Sequence, residues 1–540
     1  MTGERADVTA YDETAQVLIV GGGYAGLTSA LFLSHQGVRT VLVDRHPTVS
    51  IQGRARGINQ RTMEIYRAFG VEPPIEDAGR PFDTESGVVR CERITGDWNW
   101  VLDEETPRAL PDLTAGRFVM ADQRSVEPIL IEAARRNGAE LRFNTQCVSV
   151  DAYADHVTAV TDDRATGRRR TIRADHLIAA DGYRGTIRQR LGIPHTGPGI
   201  IQHWVSFVIR ADLSEIVKKR ALLWIVVNPE VGLGSLLTTS VPDQWTVSVT
   251  YDGEKESAAD FTTERCARLA KAVIGRDLPV EVLDIAAWDE AVGVADHYRS
   301  GRVFLTGDTA HVWPPTGAMG ANAAVQDAHN LAWKLAASIR GWASESLLDT
   351  YEAERRPVAR ALAQITVRRQ ETRFGSEPGD EDVDDTLCTL GQRYRSAALL
   401  DAGHESVYGD SLEHRARPGL RAPHLWLDRG GDRIAVHDLF HDAFVLLTGS
   451  DGKPWIDAAR DVAGATGVPL RAYRVGPASA GVDLVDVDDA WRDRYDVGTV
   501  GAVLVRPDGY TAWRCDAPAG DAAEPLAGAL NAILGRMAHR

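Results

Sequence analysis

Three short stretches of this chain carry residues whose types and spacing suit the handling of a dinucleotide. They are Gly21-Gly22-Gly23-Tyr24-Ala25-Gly26, then Asp181-Gly182-Tyr183-Arg184, then Gly307-Asp308-Thr309-Ala310-His311. In the first, Gly21 permits a tight turn, Gly23 lets the backbone approach a pyrophosphate, and Gly26 lets a following helix pack close to the preceding strand. The start of that helix offers N–H donors and the positive end of its dipole to the phosphates. Asp44 stands at the end of the next apolar run, where a carboxylate accepts hydrogen bonds from an adenosine ribose. In the third stretch, Asp308 can accept a hydrogen bond from a ribityl hydroxyl, a group that a nicotinamide dinucleotide lacks. The glycine fingerprint alone does not separate NAD from FAD, but the three stretches in this order predict one bound FAD.

The elements that must position these residues are legible around them. Val17-Leu18-Ile19-Val20 is an apolar run ending at the glycines, Leu27, Ala30, Leu31 and Leu33 follow at helical spacing, and 38–43 reads as a second strand. This is a β-α-β unit. Arg302-Val303-Phe304-Leu305 reads as a strand delivering Gly307-Asp308, and Pro314-Pro315-Thr316-Gly317 then leads to Gly320-Ala321-Asn322. Those three open a helix with Val325, Ala328, Leu331, Leu335 and Ile339 on one face. The backbone N–H groups of Ala321 and Asn322 are expected to face the N1/C2 carbonyl region of a flavin and to stabilise the anion of its reduced form. A turn capping an ordinary amphipathic helix would look the same, and the Gly-Asp strand just before it argues for the flavin.

Composition narrows the partners. A chain of 540 residues suits three or four domains, and its net charge of -16 argues against nucleic acid or an anionic membrane surface. No run approaches the roughly 18–20 apolar residues of a membrane span, and Met1 to Asp12 is polar and acidic rather than signal-like, so a cytoplasmic protein is expected. Cys91, Cys147, Cys266, Cys388 and Cys515 are scattered and form no C-x-x-C, which leaves neither a zinc ribbon nor a dithiol centre, and no metal is expected.

Further stretches join these three in an ordered series. They include Arg54-Ala55 with Arg61-Thr62-Met63-Glu64-Ile65, Gln123 with Glu127, and Arg188 with Leu191-Gly192. The series continues through Tyr298-Arg299-Ser300-Gly301-Arg302, Gln326-Asp327-Ala328-His329-Asn330 with Trp333-Lys334-Leu335, and Leu348-Asp349-Thr350-Tyr351-Glu352. Over nearly its whole length the chain resembles the class A flavoprotein aromatic hydroxylases, the para-hydroxybenzoate and phenol hydroxylase group, and within it the aromatic polyketide hydroxylases.

The resemblance implies an activity and a set of contacts. The reaction would be reduction of FAD by NAD(P)H, capture of O2 as a flavin C4a-hydroperoxide, and oxygen transfer to a small aromatic substrate, here a phenolic polycyclic polyketide. Asp44 would bind ribose with Arg45 beside the adenine, Arg54 and Gln123 would contact the pyrophosphate and ribityl region, and Asp181-Gly182 would serve both FAD and NAD(P)H. The chain departs from the family at Gly185, where serine is common, and at Gly53, which replaces a proline and is expected to loosen the loop on which the isoalloxazine ring swings. No catalytic residue is assigned: Arg368, Arg369 and Arg373 qualify by charge alone, and His311 is read as a structural hydrogen-bonder. A simple phenol hydroxylase and a Baeyer-Villiger oxygenation of a polycyclic ketone are the alternatives, and a non-catalytic FAD-binding protein is a third. A flavin halogenase would suit Trp98-Asn99-Trp100 but not the Val101-Leu102-Asp103 that follows. A reductase with two dinucleotide domains would need a second glycine fingerprint.

The implied fold class is α/β, in three units. A glutathione-reductase-like FAD-binding Rossmann domain would be assembled from 15–85, 120–190 and 295–365, and a β-sheet substrate domain from 86–119 and 191–294. A helical connector over 366–415 would lead to a thioredoxin-like domain over 416–540 that lacks C-x-x-C and serves packing or dimer contact, in a homodimer or a monomer. Strands are predicted at 203–211, 221–228 and 245–251, with Trp204, Phe207, Trp224 and Trp245 as candidates either to line an aromatic pocket or to fill the core. In the last unit, strands are predicted at 424–427, 444–449 and 501–510, the final one with a Pro507-Asp508-Gly509 turn. The acidic stretch 377–385 is expected to be a solvated loop.

Overall fold

A computed structural model describes residues 11–52, 55–83, 85–102, 109–217, 221–374, 383–413, 415–518 and 520–536. The fold is mixed α/β, built on three large sheets. In the first, Glu13–Val20 is flanked in parallel by Thr40–Val43 and Arg169–Ala179, with Val303–Leu305 beyond the latter and Glu140–Arg142 beyond the former. Val17, Leu18 and Ile19 are fully buried, as expected for the centre of a parallel sheet covered on both faces. The register is functionally important. Val20 pairs with Ala179, and Ala179 pairs with Leu305, so three neighbouring parallel strands end at one level. The three motifs therefore leave the sheet side by side, at the carboxyl edge where open α/β sheets bind ligands.

Two helices cover this edge. Tyr24–His35 is buried from Tyr24 to Ser34 and packs against Met319–Ile339, itself buried over most of its 21 residues. Both are interior helices, and Met319–Ile339 is so although it carries Asp327 and Lys334.

The second sheet runs His311–Val312, Glu281–Ala295, His195–Arg210, Gln244–Tyr251, Gly232–Thr238, Ala221–Asn228, Ser86–Cys91, Trp98–Leu102. Side chains alternate between its faces. Phe207, Trp224 and Trp245 pack with Cys266, Val273 and Ile274 of the Thr263–Ile274 helix on the outer face, so these three aromatics fill a core rather than a pocket. Trp204 points to the inner face. The third sheet spans Trp426 to Cys515, with the Lys453–Thr466 and Ala523–Ile533 helices on one side.

The expectation of a helical connector over 366–415 needs correction. The Asp349–Phe374 helix runs unbroken across its start, and Asp385–Leu390 is one short helix, but 391–413 is irregular. Its backbone hydrogen bonds go elsewhere: Tyr394 N–H donates to Gly419 O, and Leu400 N–H to Ala512 O. Tyr394 also stacks on Tyr510 at 3.9 Å. Bonds to other segments, one of them the Thr511–Cys515 strand of the third sheet, thus take the place of a helical ladder. Of the acidic stretch, 377–382 lies outside the described residues, while Asp384 caps the short helix and Asp385 pairs with Arg369 at 2.6 Å.

Buried charges join the units. Arg506 makes a two-pronged pair with Glu354 at 2.7 and 2.9 Å and reaches Asp508 at 2.6 Å, and Lys334 donates to Glu354 at 2.8 Å. Each of the four is at most 1% exposed. A second cluster centres on Glu64, which pairs with Arg61 and Arg421 and accepts from Thr114 at 2.7 Å. Burial alone would raise the Glu64 carboxyl, but Arg421, His437 and Arg61 hold it well below the usual carboxylate range. Breaking such a pair strands its partner. Arg506→Met is expected to cost about 3–5 kcal/mol in the denaturant transition that unfolds the C-terminal unit, and a loss below about 1 kcal/mol would contradict the assignment.

Candidate active site

The motif residues meet above the carboxyl edge of the first sheet. Gly21 has φ +115, and a Cβ there would lie 2.0 Å from Ala180 O; one on Gly26 would lie 1.8 Å from Gly21 O. Both positions are therefore packing constraints. Gly23 differs: φ is an ordinary -86 and nothing lies within 4 Å of a Cβ built there. The open space at the helix start is what a pyrophosphate cradle requires.

Asp44 uses its carboxylate to hold the loop, accepting from Gly22 N–H and His46 N–H, both at 2.7 Å. Arg45 is exposed beside it. Arg54 lies outside the described residues. Gln123 opens the Gln123–Arg136 helix and donates to Glu127 at 2.6 Å.

Asp181 binds the second motif to the third. Its Oδ2 accepts from Thr186 Oγ1 and Ile187 N–H, and its Oδ1 accepts from Thr309 Oγ1 at 3.1 Å. Asp308 is exposed between buried Gly307 and Thr309.

The N-terminus of Met319–Ile339 is the second polar wall. It is preceded by Gly317 at φ 78 and Ala318 at φ 55, and no side chain caps it. The N–H groups of Gly320 and Ala321, in the first turn, have no i−4 partner within the helix, whereas that of Asn322 makes its first bond, to the Ala318 carbonyl. The Asn322 side chain accepts from Asn59 N–H at 3.0 Å and donates to Gly57 O at 2.9 Å and Ala318 O at 2.7 Å. It clamps the helix start to the Gly57–Ile58 strand, so of the two N–H groups expected to face the flavin, that of Ala321 is open and that of Asn322 belongs to the helix.

Sequence reasoning missed the group that fixes the third motif. Asp327 accepts from His311 Nε2 at 2.7 Å, from Arg355 Nε at 2.7 Å and from Gly307 N–H at 3.3 Å. Burial alone would raise the Asp327 carboxyl, but Arg355 and His311 hold it below its ordinary value. His311 is buried and stacks on Trp313 at 4.5 Å, in keeping with a structural hydrogen-bonder. The signal available was an acid in the middle of an otherwise buried helical pattern.

The inner face of the second sheet completes the site. Trp204 and Trp288 stack at 5.6 Å with 5° between planes. Trp288 Nε1 donates to Ser206 Oγ and Trp204 Nε1 to Glu290 Oε2, each at 2.8 Å. Trp288 and Glu290 were not singled out in the sequence. Arg369 is paired with Asp385 and with Val383 O, and the Arg373 side chain lies outside the described residues.

Among the described residues no cluster could hold a metal, and no helix is long and apolar enough to cross a membrane.

The open cradle at Gly23, the unpaired helix N–H groups and the acids at the strand ends suit one FAD. Comparison with known proteins supports this. Residues 14–366 match the family model described as an FAD binding domain, and 415–537 match that of the aromatic-ring hydroxylase C-terminal region. The chain is 41% identical over 538 residues to the tetracenomycin B2 monooxygenase-dioxygenase of Streptomyces olivaceus, covering 96% of this chain and 98% of that one. It is 38% identical over 549 residues to a 4-methyl-5-nitrocatechol 5-monooxygenase of Burkholderia sp, covering 97% and 98%. Among solved structures, a ternary complex of aklavinone-11 hydroxylase with FAD and aklavinone superposes with a TM-score of 0.88 at 37% identity, over 98% of this chain and 100% of that one.

Two glycine variants separate packing from ligand contact. Gly23→Ala is expected to leave the thermal midpoint of the FAD-free protein unchanged while weakening FAD retention about tenfold or more, as a Cβ displaces the phosphate from its N–H donors. Gly26→Ala is expected to destabilise the FAD-free fold itself. Unchanged FAD affinity in Gly23→Ala would place the pyrophosphate elsewhere.

Proposed function

The chain belongs to the FAD-binding aromatic-ring hydroxylases, and on that premise we propose that it oxygenates a phenolic ring of a polycyclic aromatic polyketide. It is an FAD-dependent monooxygenase that uses NAD(P)H and O2. The observation that carries the substrate reading is the near full-length likeness to an enzyme solved with FAD and aklavinone together. The half-buried, stacked Trp204 and Trp288 on the inner sheet face support it, since they offer a broad aromatic surface.

Bound FAD, once reduced by NAD(P)H, supplies the activated oxygen. The chain's own residues bind and orient. Gly21, Gly23 and Gly26 bring backbone N–H groups to the pyrophosphate, with Arg54 and Gln123 alongside. Asp44 receives the ribose and Arg45 flanks the adenine. Asp308 takes a ribityl hydroxyl, with Asp181 holding its turn through Thr309. Gly320 and Ala321 direct N–H groups at the pyrimidine edge of the flavin, where negative charge develops on reduction, and Asn322 holds the turn that carries them. The inner sheet face covers the reacting ring and keeps water from it.

In this reading, 15–85, 120–190 and 295–365 form a glutathione-reductase-like Rossmann unit, and 86–119 with 191–294 form the substrate unit. The 416–540 unit is thioredoxin-like and serves packing, since its Cys515 has no partner cysteine. The five cysteines are free, as suits a reducing cytoplasm.

The Burkholderia relative favours a second reading, in which the substrate is a single-ring phenol. NADPH consumption under 18O2 with a tetracyclic phenolic quinone and with simple phenols separates the two. The proposal expects one labelled oxygen on the polycycle with its rings intact. Turnover of simple phenols only would establish the second reading, and a lactone product would establish Baeyer-Villiger oxygenation.

A further inference from the structure

Glu290 sits in the inner face of the second sheet at 4% exposure. Its Oε2 accepts from Trp204 Nε1 at 2.8 Å, and Gln370 on the Asp349–Phe374 helix approaches the same carboxyl. Among the described residues no cation pairs with it. Burial pushes the Glu290 carboxyl up, and the bonds from Trp204 and Gln370 only partly offset this. A buried acid held by neutral donors alone is costly, and an apolar side chain of similar volume would pack there with less loss. Glu64, Glu85, Asp327, Glu354 and Asp508 are buried with Arg partners, whereas Glu290, like the helix cap Asp122, is held by neutral donors.

Its surroundings indicate what it meets. Trp204 and Trp288, in register on adjacent strands, stack beside it and remain only half-buried, so aromatic surface stays open next to the carboxyl. Three residues along the same strand, Gly293 pairs with Val312, from which the chain runs into Trp313–Gly317 and the helix start at Gly320. On the other side, Arg369, the neighbour of Gln370, comes within 3.1 Å of the position a Cβ on Gly317 would take. Glu290 thus lies where the sheet, the Asp349–Phe374 helix and the loop before the candidate flavin wall converge.

We propose that Glu290 reads the substrate: its carboxyl hydrogen-bonds one hydroxyl of a polycyclic phenol whose ring plane lies against the Trp204–Trp288 stack. The inference rests on the reading that the site takes a polycyclic phenol. It assigns the hydroxyl contact to Glu290, the breadth of the ring system to the two indoles, and the orientation of the carboxyl to Gln370 as a positioning residue. An ether oxygen at that hydroxyl could not donate to the carboxylate and would crowd it, so the contact discriminates by chemistry as well as by shape.

The test uses the FAD-loaded protein and reads binding, without turnover, from perturbation of the flavin's visible spectrum. A hydroxylated tetracyclic quinone and its mono-O-methyl ethers are titrated into wild type and Glu290→Gln. Wild type is expected to bind one of the ethers about tenfold to a hundredfold more weakly than the parent. Glu290→Gln is expected to bind the parent correspondingly weakly and to lose the distinction between parent and that ether. A merely structural role would weaken every ligand by one common factor and preserve the distinction, which would overturn the proposal, as would unchanged binding of all of them. If Glu290→Gln does not retain FAD, Trp204→Phe keeps an aromatic ring but frees Oε2, and its discrimination is expected to fall about threefold or more; full discrimination in that variant would overturn the proposal. A wild type that binds the simple phenols but no polycycle would overturn the substrate reading and the Glu290 assignment with it.

Discussion

A charge buried without a partner costs several kcal/mol, a large fraction of the stability of a whole domain. The Met319–Ile339 helix is buried along most of its length and nevertheless carries Asp327 and Lys334, both at 0% exposure. Much of the surrounding structure follows from satisfying them. Adjacent residues of the Asp349–Phe374 helix do so, Arg355 for Asp327 and Glu354 for Lys334. Glu354 is in turn shared with Arg506, and Arg506 with Asp508 in the Pro507-Asp508-Gly509 turn of the third sheet. The helix cannot slide or rotate without separating these pairs. Its start, at Gly320 to Asn322, and the Gly307 turn held by Asp327, are thereby set in place from behind. In this account the C-terminal unit contributes to the active site by charge pairing, through residues that never approach a ligand.

The front of the site is set by strand register. Val20, Ala179 and Leu305 end together, and the turns that follow are tied laterally by Asp181 to Thr309 and by Gly22 N–H to Asp44. The motif carboxylates Asp44 and Asp181 thus hold the loops that carry them, through bonds to the chain's own N–H and hydroxyl groups.

The parts that were legible in the sequence are those encoded locally. The glycine fingerprint, the Gly-Asp strand and the helix at Gly320 each depend on residues within one turn or one strand, and period-two and period-3.6 patterns reveal them. The strands expected at 203–211, 221–228 and 245–251 in the second sheet and at 444–449 in the third were readable for the same reason, whereas Glu281–Ala295 and Leu470–Gly476 among others were not, and the strand expected over 501–510 ends at Val505. What was not readable depends on pairing across distance. Trp204 and Phe207 sit three residues apart on one strand, and alternation says that they face opposite ways, but not which way is inward. Trp288 and Glu290 become partners of Trp204 only through antiparallel register with a strand far along the chain. The irregular stretch 391–413 gave a helical impression because its polarity resembles that of an exposed helix, whereas two of its N–H groups bond carbonyls well beyond it, Tyr394 to Gly419 and Leu400 to Ala512.

The most direct test of the account is a crystal structure of the FAD-loaded protein with a polycyclic phenol bound. It should show the pyrophosphate over Gly23, the pyrimidine edge of the flavin at the N–H groups of Gly320 and Ala321, and the polycycle against Trp204 and Trp288 with one hydroxyl on Glu290. A flavin held away from the Met319–Ile339 helix start, or a polycycle ordered elsewhere than on the inner sheet face, would contradict it.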